Sequence, residues 1–364
     1  MLQDRRRFLA AAGAACLCGG GFVQAREPGG YVCPPCGCAK DGERFAASGE
    51  CPACGMTLVP ADGAPPFEPK SIEAGSGAFL AAGGAGREAK RITVQYHRPK
   101  HFTPASPVLL VLHGAGRNTD SYRDAWIETS ERHGVLIAAL GYPEKDYDFA
   151  AYHMGGVIKD LVLRNAPTTA SGGLPASLHM RDEDILFAHN PHPAEWLFAD
   201  FDGIFAVLAT AAGSTRTSYD LFGHSAGGQI LLRLVLFRPE NRADRIVAAN
   251  AGLYTLPDLN RPQLIGMHGT GVTEASLKAS LGNRLTLLLG ELDNDGEKGG
   301  QHLHTPLLDQ QGVGRLDRGR YFFDFAKSQA AAMGAPFEWP LQTVPGVAHD
   351  QAGMARAAAR LFYG

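Results

Sequence analysis

Ten residues constrain the fold of this chain more than any other stretch: Tyr219-Asp220-Leu221-Phe222-Gly223-His224-Ser225-Ala226-Gly227-Gly228. Tyr219 to Phe222 is a short apolar run of strand length, and Gln229 to Phe237 has helical length and stops before Arg238-Pro239. Between them lies G-x-S-x-G. A strand that passes straight into a helix through this pentapeptide holds the serine on a sharp, strained turn with its hydroxyl presented outward. The flanking glycines suit a backbone so crowded that a side chain would clash. The pentapeptide alone is weak in a chain with 45 glycines among 364 residues, where a glycine-rich loop with a bystander serine is the plain competing reading. The strand before it and the helix after it carry the weight.

Around this turn, strands and helices alternate from about residue 71 to the end. Ala78 to Leu80 and Arg91 to Tyr96 read as a hairpin or short meander about Gly83-Gly84. Val108 to Leu112 is a near-continuous apolar strand, followed by a helix from Asp120 to His133 stopped by Gly134. Further strands are expected at Val135 to Leu140, Ile246 to Ala249, Leu285 to Leu289 and Trp339 to Val344. Runs apolar on both faces, spaced by helices, predict an α/β fold with a mostly parallel sheet covered by helices on both sides. Residues 143–192 show weak periodicity and many turn formers, which suits a pocket wall or lid.

A serine hydroxyl needs a base to take its proton, and the base needs an acid to orient it. The run Leu285 to Leu289 leads into Gly290-Glu291-Leu292-Asp293-Asn294-Asp295, so a carboxylate lies just past a strand's carboxyl end, on the ligand side of such a sheet. Asp293 is the first choice as acid, with Asp295 and Glu291 behind it. The last strand runs into Pro345-Gly346-Val347-Ala348-His349, which puts His349 where the base is needed. His302 and His304 are rivals, but no strand separates them from the acid. His224 is expected to pack beneath the turn. Two backbone donors are needed for a developing oxyanion. One is the N–H of Ala226; the other comes from His113-Gly114-Ala115-Gly116, with Ala115 preferred to Gly116 and a simple tight turn as the bland alternative.

Leu109 to Gly114, Gly223 to Gly228 and Val344 to His349 together resemble the α/β-hydrolase superfamily, and within it secreted esterases of the polyhydroxyalkanoate-depolymerase and feruloyl-esterase type. The likeness covers residues 71–364. It implies hydrolysis of a small-molecule or polymeric carboxylic ester through an acyl-enzyme, with Ser225 attacking, His349 moving the proton and Asp293 orienting it; no cofactor is implied for that chemistry.

The front of the chain reads differently. Asp4-Arg5-Arg6-Arg7-Phe8-Leu9, an Ala/Gly-rich apolar run and Val23-Gln24-Ala25 form a signal peptide over residues 1–25 that resembles the twin-arginine type, with a periplasmic or secreted destination. The run is too short and glycine-rich for a membrane span. Neither Cys16 nor Cys18 has the leucine three places earlier that a lipoprotein signal needs. Cleavage would remove one acidic and three basic side chains, taking the formal charge from −3 to −5. Neither that charge nor any basic stripe offers an electrostatic footprint for nucleic acid.

Five cysteines then cluster within residues 26–60. Cys33-Pro-Pro-Cys36 and Cys51-Pro-Ala-Cys54 are C-x-x-C knuckles 14 residues apart, a pattern suited to structural zinc on four thiolates, with Cys38 left over. So short a segment cannot build its own core, and the metal would supply its folding energy. Gly49 to Pro60 resembles the end of the heavy-metal-binding domain of bacterial copper- and zinc-handling proteins. At the front, that family has histidine where Cys36 stands, which leaves the ligand set open. Disulfides in an oxidising compartment are the alternative. Residues 61–70 form a proline-rich linker. Two other functions remain possible for the whole: a serine peptidase on the same triad, and a non-catalytic metal-handling protein on a hydrolase scaffold.

Overall fold

The computed structural model describes residues 30–33, 38–40, 43–47, 49–53, 55, 58–60, 65–170, 173–294, 299 and 302–364. The expected signal peptide, Cys36, Cys54 and Asp295 lie outside the described residues. Three two-residue strands, β1 (Tyr31–Val32), β2 (Arg44–Phe45) and β3 (Val59–Pro60), make a small antiparallel sheet with β1 in the middle. Its core is small: Cys33, Cys51 and Leu58 are buried, with Tyr31, Cys38 and Phe45 packed against them.

The remainder is built on β4 (Gly75–Ala82), β5 (Arg91–Arg98), β6 (Val108–Leu112), β7 (Leu136–Gly141), β8 (Ile158–Leu163), β9 (Ser177–His179), β10 (Ile185–His189), β11 (Tyr219–His224), β12 (Ala243–Ala249), β13 (Leu285–Gly290), β14 (His302–His304) and β15 (Leu341–Val344). Eight of these form one sheet in the order β15-β13-β12-β11-β6-β7-β5-β4. All neighbours from β7 to β15 are parallel, and β5 runs antiparallel to both β4 and β7. The chain leaves β6 towards β7 and later returns to its other side as β11, so the strand order reverses between β6 and β11. Open α/β sheets place their ligands at the carboxyl ends of strands at such a reversal.

Helices α1 (Thr119–Asp124), α2 (Ile127–His133), α3 (Phe149–Tyr152), α4 (Phe198–Ala212), α5 (Ala226–Phe237), α6 (Glu274–Leu281), α7 (Arg315–Met333) and α8 (Gln351–Tyr363) complete the fold. Strand side chains divide between two apolar cores by strict alternation. Val108, Leu110 and Leu112 enter one with α4 and α5; Leu109 and Val111 enter the other with Trp126 and α8. This two-faced burial explains the near-continuous apolar strands. Every residue of α5 is buried, which is why its sequence is apolar apart from Gln229 and Arg233.

The expected helix over Asp120–His133 is two helices. Its interruption at Ala125-Trp126 lets Trp126, fully buried, lie edge-on to Phe222 with ring centroids 5.0 Å apart. Gly134 ends α2 in the left-handed conformation, φ 69°, as the sequence led one to expect. The last strand begins at Leu341 rather than Trp339, since Pro340 has no N–H to give a ladder. Residues 143–192 carry more order than their periodicity suggested. There β8 pairs antiparallel with β10, and β9 pairs with β14, which ties this excursion to the segment that follows Asp293.

Candidate active site and metal module

Ser225 sits at φ 58°, ψ −116°, between β11 and α5, a conformation that ordinary residues rarely adopt. The glycines around it have physical reasons. A Cβ on Gly223 would stand 2.3 Å from the carbonyl oxygen of Gly227, and one on Gly227 would stand 2.3 Å from that of Leu112. The turn is therefore pressed against the end of β6. One long-range bond fixes it: the N–H of Ser225 donates to the carbonyl of Ala249 on β12, 2.9 Å.

His349 Nε2 lies 3.0 Å from Ser225 Oγ, and His349 Nδ1 lies 2.7 Å from Asp293 Oδ2. An ionised carboxylate can only accept, so Nδ1 carries the proton and Nε2 keeps a lone pair aimed at the serine hydroxyl. The loops that bring these residues together are locked to each other. A Cβ on Gly290 would meet the carbonyl oxygen of Val347 at 2.5 Å, so the two loops touch backbone to backbone. Asn250, at the end of β12 with φ 47°, joins them: its amide donates to the carbonyl of Ala348 at 3.0 Å and accepts from the N–H of Gly290 at 2.7 Å. Immediately beyond His349, Asp350 caps α8 by accepting from the N–H groups of Ala352 and Gly353, each at 3.0 Å.

Two positions escaped sequence reasoning: Asn250 and Arg315. Arg315, buried at the first turn of α7, places Nη1 3.3 Å from Asp293 Oδ1 and also donates to the carbonyl of Gly299. Asp293 thus has one oxygen on the imidazole and the other facing a guanidinium. Nothing in the local pattern of either residue marks it, because both act through contacts distant in sequence.

Of the rival residues, Glu291 is exposed and accepts from the Thr343 hydroxyl at 2.7 Å. His302 and His304 are buried in β14, and it is His349 that stands within bonding distance of Ser225. His224 is buried beneath the turn as expected. Its ring centroid lies 4.6 Å from that of His349, and its Nδ1 lies 3.0 Å from the Tyr122 hydroxyl. Burial first, then the neighbouring His349 and Arg315, hold its pKa well below the ordinary histidine value. It is therefore neutral.

The loop after β6 is held from behind. Burial pushes the pKa of His113 down to about 3, so its ring is neutral. Its Nδ1 lies 2.8 Å from the Gly114 carbonyl, its Nε2 accepts from the N–H of Tyr142 at 3.3 Å, and the Tyr152 hydroxyl donates to its carbonyl at 2.8 Å. Gly114 faces Ser225 closely, since a Cβ there would stand 3.3 Å from the serine Cβ. Ala115 follows on the same loop and is half-buried, whereas Gly116 is exposed. The N–H of Ala226, at the first position of α5, belongs to the set of helix-terminal donors that lack an intrahelical acceptor. Cavities of about 730 Å³ beside Trp196 and Phe237, and of about 420 Å³ at the amino ends of β12 and β13, contain none of Ser225, Asp293 and His349.

In the N-terminal module, the sulfurs of Cys33, Cys38 and Cys51 all lie within 4.8 Å of one another. Of the expected set Cys33, Cys36, Cys51 and Cys54, the structure brings together Cys33 and Cys51, with Cys36 and Cys54 outside the described residues; among the described residues Cys38, which the knuckle spacing had left over, stands beside them. Clustered thiols of this kind fit a soft or borderline metal such as zinc or copper(I). Among the described residues no helix is long and apolar enough to cross a membrane.

Residues 31–61 match the family model described as heavy metal binding domain. A poly(aspartic acid) hydrolase-1 from Sphingomonas sp. KT-1 is 34% identical, aligns over 80% of this chain and 100% of its own, and superposes with a TM-score of 0.68. The LpqC poly(3-hydroxybutyrate) depolymerase from Bordetella parapertussis is 30% identical over 80% of this chain and 90% of its own, with a TM-score of 0.66. An IroE-like serine hydrolase from Shewanella oneidensis shares the fold at 12% identity and a TM-score of 0.50, over 79% of this chain and 80% of its own. Among curated proteins none matches this chain.

Proposed function

This chain belongs to the α/β-hydrolase superfamily and carries a heavy-metal-binding module at its front; from that premise we propose that it is an exported serine hydrolase that cleaves carboxylic esters through an acyl-enzyme. The observation that supports this most is the unbroken relay from Asp293 Oδ2 through His349 to Ser225 Oγ, with contacts of 2.7 and 3.0 Å. Ser225 Oγ attacks the ester carbonyl as its proton passes to His349 Nε2. The imidazolium so formed is stabilised by Asp293, whose own charge is stabilised by Arg315. The N–H groups of Ala226 and Ala115 donate to the oxyanion. His349 then gives its proton to the departing alcohol, and a water activated by the same nitrogen releases the acid and restores the serine.

The substrate class follows the named neighbours, a depolymerase of a polyester among them. One observation favours a second reading. Poly(aspartic acid) is joined by amide bonds, so a close neighbour that hydrolyses it argues for amide cleavage by the same residues. A panel of p-nitrophenyl esters beside peptide anilides separates the two: turnover of the esters, with the anilides at background, is expected. Faster turnover of the anilides would replace the ester reading with the amide one.

Zinc in the N-terminal module and twin-arginine export complete the proposal. Loading in the cytoplasm before folded export would protect the thiols from an oxidising destination. A site closed by thiolates leaves no open position for water, so the metal is structural and takes no part in the hydrolysis.

A further inference from the structure

We propose that Tyr122 is a positioning residue for the hydrolysis: one hydroxyl sets the oxyanion loop at Gly114 and, by way of His224, the imidazole of His349. The inference rests on the reading of Ser225, His349 and Asp293 above and deepens it by assigning the group that couples the base to that loop. Tyr122 is buried in α1. Its hydroxyl oxygen lies 3.0 Å from His224 Nδ1, and the His224 ring lies under that of His349, centroids 4.6 Å apart and planes 41° apart. The same oxygen takes a backbone hydrogen bond from Gly114. An oxygen that accepts there gives its own proton to Nδ1, which makes His224 the tautomer protonated at Nε2. Burial keeps the phenol protonated and the His224 ring neutral. A neutral ring is what the base needs beneath it. When His349 takes the proton of Ser225 it becomes a cation, and a second cation at this distance would oppose the transfer.

Gly114 is gripped between this hydroxyl and the nucleophile. A Cβ there would stand 2.8 Å from the Tyr122 hydroxyl oxygen, 3.3 Å from Ser225 Cβ and 3.7 Å from Ser225 Oγ, with no ring carbon of Tyr122 nearer than these. Its φ lies outside the left-handed region, so the lack of a side chain answers to space and not to backbone strain. The peptide that carries the Ala115 N–H begins at Gly114. The phenol therefore bears on the proposed oxyanion donor from one side and on the floor of the base from the other. No proton of the reaction passes through it.

The test reads kcat and KM for a p-nitrophenyl ester, and the rate of fluorophosphonate labelling at Ser225, on full-chain variants below their unfolding temperatures. Tyr122→Phe should lower kcat and the labelling rate about tenfold, with KM within about twofold of wild type. His224→Asn, which keeps a hydrogen-bond acceptor where Nδ1 stands, should retain more of both rates than His224→Leu. Gly114→Ala should lose on the order of 100-fold, because its methyl displaces the loop. Adding Tyr122→Phe to Gly114→Ala removes the oxygen that the methyl meets, so the double variant should be faster than Gly114→Ala alone. One substitution then harms the wild type and helps the crowded variant, which a loss of packing does not produce. Wild-type kcat and labelling in Tyr122→Phe would overturn the assignment, and so would a double variant no faster than Gly114→Ala. Wild-type protein that is not labelled at Ser225 would instead overturn the hydrolase reading, and the positioning role with it.

Discussion

The two sites of this protein are held in opposite ways. The serine site is made of loops, yet those loops hang from a sheet whose strands β6, β7 and β11 are wholly buried, with an apolar core on each face. Its polar groups are oriented by packing that exists before any substrate arrives. Among the described residues, the cysteine site has two-residue strands and a core of Cys33, Cys51 and Leu58, two of which are candidate ligands. There the candidate ligand cluster and the core share Cys33 and Cys51. One region can afford strain, such as the positive φ of Ser225, because hydrophobic burial elsewhere over-determines it. The other, in the proposed reading, depends on its ion for order.

That difference can be broken or sharpened by experiment. The largest effect is expected from Ser225→Ala: ester turnover should fall on the order of 10⁶-fold, to background, while zinc content and thermal stability stay at wild-type values. Substantial residual turnover would move the nucleophile elsewhere. Removal of metal by a strong chelator should do the reverse. Residues 31–60 should become sensitive to protease, while turnover changes by less than about twofold, because the sheet's cores do not include them. Parallel loss of turnover and module order would erase the contrast.

The smallest effect concerns acid. His113 binds a proton in the folded chain only at about pH 3, whereas in the unfolded chain it does so near pH 6.5. Its neutral ring therefore contributes stability that is fully present above about pH 6.5 and is lost as pH falls from there towards 3, by at most about 1.4 kcal/mol per pH unit. The unfolding temperature of the hydrolase region should fall between pH 7 and 5. His113→Asn, if it folds, should flatten the decline.

How much of this could be read in the sequence follows the same division. That Ser225, Asp293 and His349 come together was legible because each stands just past an apolar run, and strand ends in a wound sheet converge. The break at Trp126 was not legible, since an aromatic residue is a neutral helix former and its partners Phe222 and Phe362 are distant in sequence. Asn250 and Arg315 left no trace for a related reason: their value lies in groups 40 and 22 residues away. The contacts of Cys38 with Cys33 and Cys51, each 3.7 Å, were not legible, because C-x-x-C spacing is a local signal and they belong to the folded segment. Local rules found the elements and their ends; cross-chain bonds had to be seen.

Ester cleavage as proposed requires the hydroxyl of Ser225 to be the atom that reacts. A fluorophosphonate ester allowed to label the wild-type protein, followed by proteolysis and mass mapping, reads this directly. One adduct per chain on Ser225, abolished by prior acid unfolding, is the predicted result; an adduct on any other residue, or none on protein that still turns over esters, would contradict it.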